Sequence, residues 1–155
     1  MSNNTKKRIA IFLDGTWNDP GDNTNVWRTK LMVDTSGGTD IPQICYYGMG
    51  VGTRWYNRLR GGAFAAGLSR NVRDAYQWLM ENHSEGDEVY VFGFSRGAYT
   101  ARSLTGMIAK CGLLQPGAPM PVIQVFERYQ KGKEARPLYE LEYLQRHGEI
   151  DYSLE

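Results

Sequence analysis

EVYVFGFSRGAYTAR, residues 88–102, carries the strongest structural signal in the chain. Its first five residues are rich in valine and aromatic side chains, a composition that predicts a buried strand over Glu88–Phe92. After Gly93-Phe-Ser-Arg-Gly97 the apolar residues recur at helical spacing, at Ala98, Ala101, Leu104 and Ile108. The sequence therefore predicts a strand, a tight turn and a helix, the setting in which a G-x-S-x-G pentapeptide presents a nucleophile.

The two glycines of this turn have a physical role in that prediction. A serine at the tip of a sharp strand-to-helix turn adopts strained backbone angles, and side chains at Gly93 or Gly97 would clash with the neighbouring strand and helix. The turn then holds the Ser95 hydroxyl above the sheet, and the positive end of the helix points to where an oxyanion would form. The alternative is a structural turn in which Ser95 only caps the helix.

Composition limits the classes of function. The chain has 155 residues, enough for one domain with a real core, and its net charge is +1. This balance gives no global attraction to nucleic acid or to an anionic membrane. Cys45 and Cys111 are far apart and form no C-x-x-C pair, which predicts free thiols. The two histidines lack paired ligand spacing, so no metal site, and in particular no zinc site, is expected.

The N-terminus carries no recognisable targeting signal. Residues Met1 to Arg8 are polar, and the apolar run Ile9–Leu13 is too short for a signal-peptide core or a membrane span. We therefore expect synthesis in the cytoplasm. Export by a machine that reads no N-terminal signal stays open as an alternative.

The run Ile9–Leu13 predicts a parallel strand that is covered on both faces. It ends in Asp14-Gly-Thr-Trp-Asn18, a polar turn at the carboxyl end of the strand. In open α/β sheets the ligand crevice lies at that end, so this turn is a candidate for the functional site. The alternative is a simple turn, because Asp-Gly is common turn chemistry.

The remaining elements follow from periodicity. Ile44–Tyr47 predicts a second strand, and the pattern of Phe64–Glu81 predicts a helix that crosses from it to the strand at Glu88. Asn23-Thr-Asn25 predicts the cap of a short helix, and two more helices are expected, near residues 122–129 and 138–144. His83 follows the long helix at the N-terminal edge of the next strand, which predicts a capping or surface histidine.

Two loops suggest ligand hypotheses. Gly48-Met-Gly-Val-Gly-Thr53 fits neither G-x-G-x-x-G nor Walker A, so a wall of the crevice is favoured over nucleotide binding. Arg54-Trp-Tyr-Asn-Arg58-Leu-Arg60 suits an anionic head group or contact with a membrane surface. The alternative for this second loop is a solvated segment with one aromatic side chain in the core.

Several short motifs follow one another along the chain. They are Asp14-Gly-Thr16, Asn23-Thr-Asn-Val26, Gly50-Val-Gly-Thr53, Gly61-Gly-Ala-Phe64, Arg70-Asn-Val72, Asp74-Ala-Tyr76 and Gly93-Phe-Ser-Arg-Gly-Ala-Tyr-Thr-Ala-Arg102. Together they resemble the α/β-hydrolase domain family that includes the phospholipase effectors of type VI secretion (the Tle-one-like catalytic domain). The resemblance covers about residues 7–114.

This resemblance implies a serine hydrolase of lipid esters. By it, Ser95 is the nucleophile and the backbone N–H of Arg96 is one oxyanion donor. The second donor is Gly15 or Thr16, in a loop that Asp14 orients. A tetrahedral intermediate then gives an acyl-enzyme that water resolves. The expected ligand is a lipid or ester substrate, without a cofactor.

The C-terminal part departs from the family. Hydrolases of this fold place an acid and then a histidine after the serine, and the family's acid lies in a Trp-Asp-Thr-type motif that this chain lacks. His147 follows Ser95, but the sequence predicts no strand that ends at it. The expected fold is therefore an α/β-hydrolase-like parallel sheet with a nucleophile elbow, incomplete at its C-terminus. Residues 1–155 would form the N-terminal portion of that single domain.

Two functions stay open at this point. The first is a phospholipase-type serine hydrolase for which this chain supplies the nucleophile. The second is a catalytically inactive hydrolase-like module that binds a partner or ligand through the same crevice. A fragment of this kind would expose an apolar sheet edge, which predicts association with itself or with a complementing chain.

Overall fold

The computed structural model describes residues 6–15, 18–50 and 61–132, and for residues 61–66 the backbone alone. In this part of the chain three parallel strands form one sheet in the order β2-β1-β3. The strands are β1 (Arg8–Leu13), β2 (Gln43–Gly48) and β3 (Glu88–Gly93). The helices are α1 (Asn25–Leu31), α2 (Gly61–Asn82), α3 (Arg96–Cys111) and α4 (Val122–Gln130).

The predicted elements are found in the predicted order, which confirms an α/β architecture. Thr24 caps α1 by accepting a hydrogen bond from Trp27 N at 3.1 Å, as the sequence suggests. Gly112 ends α3 with a φ of 76°. The loop after Asp19 contains a short 3-10 turn, Pro20–Asp22, that the sequence did not predict. The helix expected near residues 138–144 lies outside the described residues.

The register brings the carboxyl ends of all three strands to one edge of the sheet. Arg8 of β1 lies beside Gln43 and Glu88, and Leu13 lies beside Gly48 and Gly93. The loop after β1 therefore begins level with the turn after β3. This edge is where an open α/β sheet places its ligand crevice.

Strand β1 forms the centre of the core and is buried on both faces, as its continuous apolar run predicts. On one face Ile9, Ile11 and Leu13 pack with buried side chains of α2, α3 and α4. On the other face Ala10 and Phe12 pack with α1. Because both faces of β1 are fixed, its carboxyl end is a rigid base for the loop that follows.

The prediction that Glu88–Phe92 is a buried strand is wrong in one respect. Strand β3 pairs only with β1 among the described residues, so it forms an edge of the sheet. Val89, Tyr90 and Phe92 are 37%, 46% and 40% exposed. An apolar run of this length is compatible with a central or an edge strand, and the sequence alone does not distinguish them.

Candidate active site

Ser95 lies between β3 and α3 in an unusual backbone conformation. Its φ is 53° and its ψ is −121°, outside the left-handed helical region that non-glycine residues occasionally adopt. Within the described part of the chain its side chain makes no capping hydrogen bond. The alternative that Ser95 is simply a helix cap therefore has no support in the geometry. Such a conformation costs about 1–3 kcal/mol and tends to occur at functional sites.

The two glycines of the turn allow close packing around Ser95, as the sequence predicts. A Cβ atom at Gly97 would overlap the carbonyl oxygen of Leu13 and would lie 2.6 Å from that of Asp14. A Cβ atom at Gly93 would lie 2.6 Å from the carbonyl oxygen of Gly97. Any side chain at these positions would push the turn away from β1 and α3.

Hydrogen bonds tie the turn to the end of β1. Phe94 N donates to the carbonyl oxygen of Leu13 at 3.1 Å, which extends the strand pairing by one residue. Gly97 N donates to the carbonyl oxygen of Phe94 at 2.8 Å and closes the turn. Ser95 is consequently held on the sheet edge and exposed to solvent.

Gly15, in the loop after β1, lies directly beside this turn. A Cβ atom placed on Gly15 would be 3.3 Å from Ser95 Cβ and 3.4 Å from Phe94 Cδ1. The carbonyl oxygen of Gly15 accepts a hydrogen bond from Asn18 N at 2.9 Å. The structure thus brings together Asp14, Gly15 and Ser95, three of the residues that the sequence singled out.

Asp14 is the buried anchor of this loop, with 3% of its surface exposed. Its Oδ1 accepts a hydrogen bond from Gly15 N at 2.8 Å. Its Oδ2 accepts from Thr24 Oγ1 at 2.6 Å and from Tyr47 Oη at 2.8 Å. Three donors offset the loss of water around the carboxylate, which is the condition under which a buried charge is tolerated.

Tyr47 remains a hydrogen-bond donor because its phenol is hard to ionise. Burial raises the pKa of Tyr47 far above its usual value, and the hydrogen bond to Asp14 and the negative charge of that carboxylate raise it further. Its ring also packs edge-on against Trp27, with 5.0 Å between the ring centroids. The ring is therefore fixed independently of its hydroxyl group.

Sequence reasoning missed the roles of Tyr47 and Thr24. It treated Tyr47 as an ordinary strand residue and Thr24 only as a helix cap. The available signal was the parallel register, because Tyr47 lies beside Phe12, two residues before Asp14. A hydroxyl-bearing side chain at the carboxyl end of a neighbouring strand is a candidate partner for a buried carboxylate.

The remaining residues that the sequence singled out lie at different places in the chain. Arg96 is the first residue of α3, so its amide lies at the positive end of that helix. Thr16 and the basic stretch Arg54–Arg60 lie outside the described residues, as does His147. His83 lies between α2 and β3, at the opposite end of a strand that spans about 17 Å, as its position in the sequence predicts.

Several exposed apolar side chains lie at the end of the sheet that carries Ser95. Phe94, immediately before Ser95, is 48% exposed, and Tyr99, one turn into α3, is 65% exposed. Met49, which follows β2, is also exposed. Ser95 itself is exposed to solvent.

The comparison with protein families gives a match over most of the chain. The family described as "T6SS, Phospholipase effector Tle1-like, catalytic domain" matches residues 7–149. The match continues beyond Leu114, where the recognisable motifs end. A phospholipase-type hydrolase is therefore indicated at the level of the family.

A relative from Saccharomyces cerevisiae (strain ATCC 204508 / S288c) carries the name "Uncharacterized protein YEL023C". It is 32% identical over 154 residues, and the alignment covers 88% of this chain. The chain spans only 22% of the length of that relative. No solved structure matches the chain.

None of the helices in the described ranges combines the length and hydropathy needed to cross a bilayer.

Proposed function

The chain belongs to the family of Tle1-like catalytic domains of type VI secretion phospholipase effectors, and from that premise we propose that it carries the nucleophile of a lipid-ester hydrolase. The nucleophile is Ser95. The observation that supports this most is the strained backbone of Ser95 at φ 53° and ψ −121°. A serine held at such angles between a strand and a helix is the geometry of a nucleophile elbow in an α/β hydrolase.

The proposed reaction is acyl transfer to the Ser95 hydroxyl. The Oγ atom attacks the ester carbonyl, the alcohol leaves with a proton, and water then hydrolyses the acyl-enzyme. The Arg96 amide is one oxyanion donor. Because the Gly15 amide already donates to Asp14 Oδ1, we assign the second donor to Thr16 and give Gly15 the role of close neighbour to Ser95.

The attack needs a base that accepts the Ser95 proton. His83, the one histidine in the described ranges, lies at the far end of β3. We therefore place the base and its acidic partner outside the described residues of this copy. The base is His147, or it is supplied by a second copy of the chain or by a further segment of a longer protein.

The proposed substrate is an ester with an apolar chain. The exposed side chains of Phe94, Tyr99 and Met49 support this choice, because they offer apolar surface at the end of the sheet that carries Ser95. Membership of a secretion-effector family supports export without an N-terminal signal. Contact with a membrane surface is part of the same proposal.

A non-catalytic module is the second candidate. It is favoured by one observation, the distance between Ser95 and the only described histidine. In that case the same sheet edge binds a ligand without turnover, and a Ser95→Ala change leaves binding unaltered.

Labelling with a fluorophosphonate, followed by intact-mass measurement, separates the two candidates. We expect the wild-type chain to gain one phosphonyl group, the Ser95→Ala variant to gain none, and the Ser103→Ala control on α3 to react like wild type. Labelling that persists in Ser95→Ala would contradict the assignment of the nucleophile. A chain that stays unlabelled while Ser95 reacts in a longer protein would locate the base in a further segment, and a longer protein that stays unlabelled would favour the binding module.

A further inference from the structure

We propose that Tyr47 is a positioning residue that fixes the loop beside Ser95 by holding the Asp14 carboxylate with its hydroxyl group. This inference rests on the proposed function only for its catalytic consequence. The structural part, a link from Tyr47 through Asp14 to Gly15, stands on hydrogen bonds within the described residues.

The first step is that both oxygens of Asp14 are engaged and have different tasks. Oδ2 receives the hydroxyl groups of Tyr47 and Thr24, at 2.8 and 2.6 Å. This leaves Oδ1 directed at the Gly15 amide, at 2.8 Å. Removal of a donor from Oδ2 frees the carboxylate to rotate, and the Gly15 amide then loses its fixed acceptor.

The second step is that Gly15 is held at both of its backbone polar groups. Its N–H donates to Asp14, and its carbonyl oxygen accepts from Asn18 N at 2.9 Å. The loop in this position lies beside Ser95, since a Cβ atom built on Gly15 would be 3.3 Å from Ser95 Cβ. The orientation of the Asp14 carboxylate is therefore transmitted to the backbone that borders the nucleophile.

The third step concerns the choice of Tyr47 rather than Thr24. Thr24 Oγ1 also accepts from Trp27 N as the cap of α1, so its removal disturbs that helix as well. The Tyr47 ring is half-buried and packed against Trp27. A Tyr47→Phe change thus removes one hydroxyl group and leaves the packing in place.

The test compares Tyr47→Phe with Tyr46→Phe. Tyr46 is the neighbouring residue on the opposite face of β2, where its ring packs against Trp78 with 5.3 Å between centroids. Hydrogen exchange of the Gly15 amide, followed by NMR of the ¹⁵N-labelled chain, reports on the link directly. We expect exchange to become about tenfold faster in Tyr47→Phe and to stay at the wild-type rate in Tyr46→Phe.

The second readout is the rate at which the fluorophosphonate labels Ser95. The rates are compared between variants whose thermal unfolding shows the same stability. We expect Tyr47→Phe to label several-fold more slowly than Tyr46→Phe. Unchanged Gly15 exchange in Tyr47→Phe, or an equal change in Tyr46→Phe, would overturn the positioning role. An unlabelled wild type would count against the proposed function alone, because the exchange measurement still decides the role of Tyr47.

Discussion

The conformation of Ser95 is maintained by the residues on both sides of it. Its backbone angles cost about 1–3 kcal/mol, and such a cost persists only where the surroundings leave no alternative. Here Phe94 N bonds to β1, Gly97 N closes the turn, and Gly93 packs on the start of α3. By contrast Asn23, the other described non-glycine residue with a positive φ, has the ordinary left-handed angles of 54° and 42° that asparagine tolerates.

We predict that Gly97→Ala destabilises the chain by about 3 kcal/mol, because the new methyl group would overlap the backbone of Leu13 and Asp14. Urea unfolding measures the loss. The control is Gly38→Ala, where the nearest atom is the end of the flexible Asp34 side chain, and where we expect a change within about 0.5 kcal/mol. Equal stability of the two variants would mean that β1 and the turn are not closely packed.

At the residue scale the sequence predicted the turn, its glycines and the place of Asp14 in the neighbouring loop, but not the partners that hold Asp14. The turn is local, so its chemistry can be deduced from five consecutive residues. The partners of Asp14 are 10 and 33 residues away, at Thr24 and Tyr47. They meet it only because β2 lies beside β1 in one particular register, which no local pattern specifies.

At the scale of elements, charged side chains join the beginnings of β1 and β3. Asp87 accepts hydrogen bonds from Lys7 N at 2.9 Å, Lys7 Nζ at 2.5 Å and Ser84 N at 2.8 Å, and its side chain is 1% exposed. Glu88 accepts from Lys6 and Arg8 at the surface. These pairs set the register of β3 at the end of the sheet opposite Ser95.

This arrangement predicts how stability depends on pH. Burial alone would raise the pKa of Asp87, but hydrogen bonds from Lys7 and Ser84, with the Lys7 charge, hold it below its usual value. Because the pKa of Asp87 is lower in the folded chain than in the unfolded chain, the ionised carboxylate stabilises the fold at pH values above the unfolded pKa, which is near 4. This stabilisation is lost as the pH falls through the pKa of Asp87 in the folded chain. We expect Asp87→Asn to cost about 2 kcal/mol at neutral pH and to flatten the acid limb of the stability curve.

Glu88→Gln is the matched control for that measurement. Hydrogen bonds from Lys6, Arg8 and Tyr90 lower the pKa of Glu88 to about 2, but the group is exposed. We expect its removal to change stability little, and salt to remove most of the difference, because exposed ion pairs are screened. The stability of each variant is measured by thermal unfolding at pH values from acid to neutral. If the stability of Asp87→Asn falls at acid pH as steeply as that of wild type, the role of Asp87 is contradicted.

Elements were the most predictable level of this structure. The three strands and the amphipathic helices can be recognised from the sequence alone. Each buries one face or both, and this burial leaves a periodic pattern of apolar residues. The burial of β3 was not predictable, since it depends on which strands lie beside it. Its Val-Tyr-Val-Phe run is typical of a strand inside a sheet. In the part of the chain that the structure describes, however, β3 has a neighbouring strand on one edge alone.

At the scale of the whole molecule, the free edge that β3 has in the described part of the chain is apolar, with Val89, Tyr90 and Phe92 exposed. A groove of about 190 Å³ lies on the face of the sheet beside α1, and Tyr90 and Phe92 contribute to its lining together with Phe12 and Val33. Natural edge strands are usually protected by charges, proline or a bulge, and residues 89–92 contain none of the first two. In the part of the chain that the structure describes, β3 therefore has an edge suited to another strand.

We predict that the isolated chain associates through this edge. If two copies pair their β3 strands antiparallel with Val91 facing Val91, Tyr90 lies opposite Phe92 twice, and cross-strand aromatic pairs of this kind are stabilising. Tyr90→Lys places a charge on the edge and should shift sedimentation-velocity profiles to the monomer at concentrations where wild type associates. Tyr99→Lys, which changes a more exposed aromatic residue on α3, should leave the profile unchanged. A wild-type chain that is monomeric over the whole concentration series, or a Tyr99→Lys variant that dissociates like Tyr90→Lys, would show that β3 is not the contact.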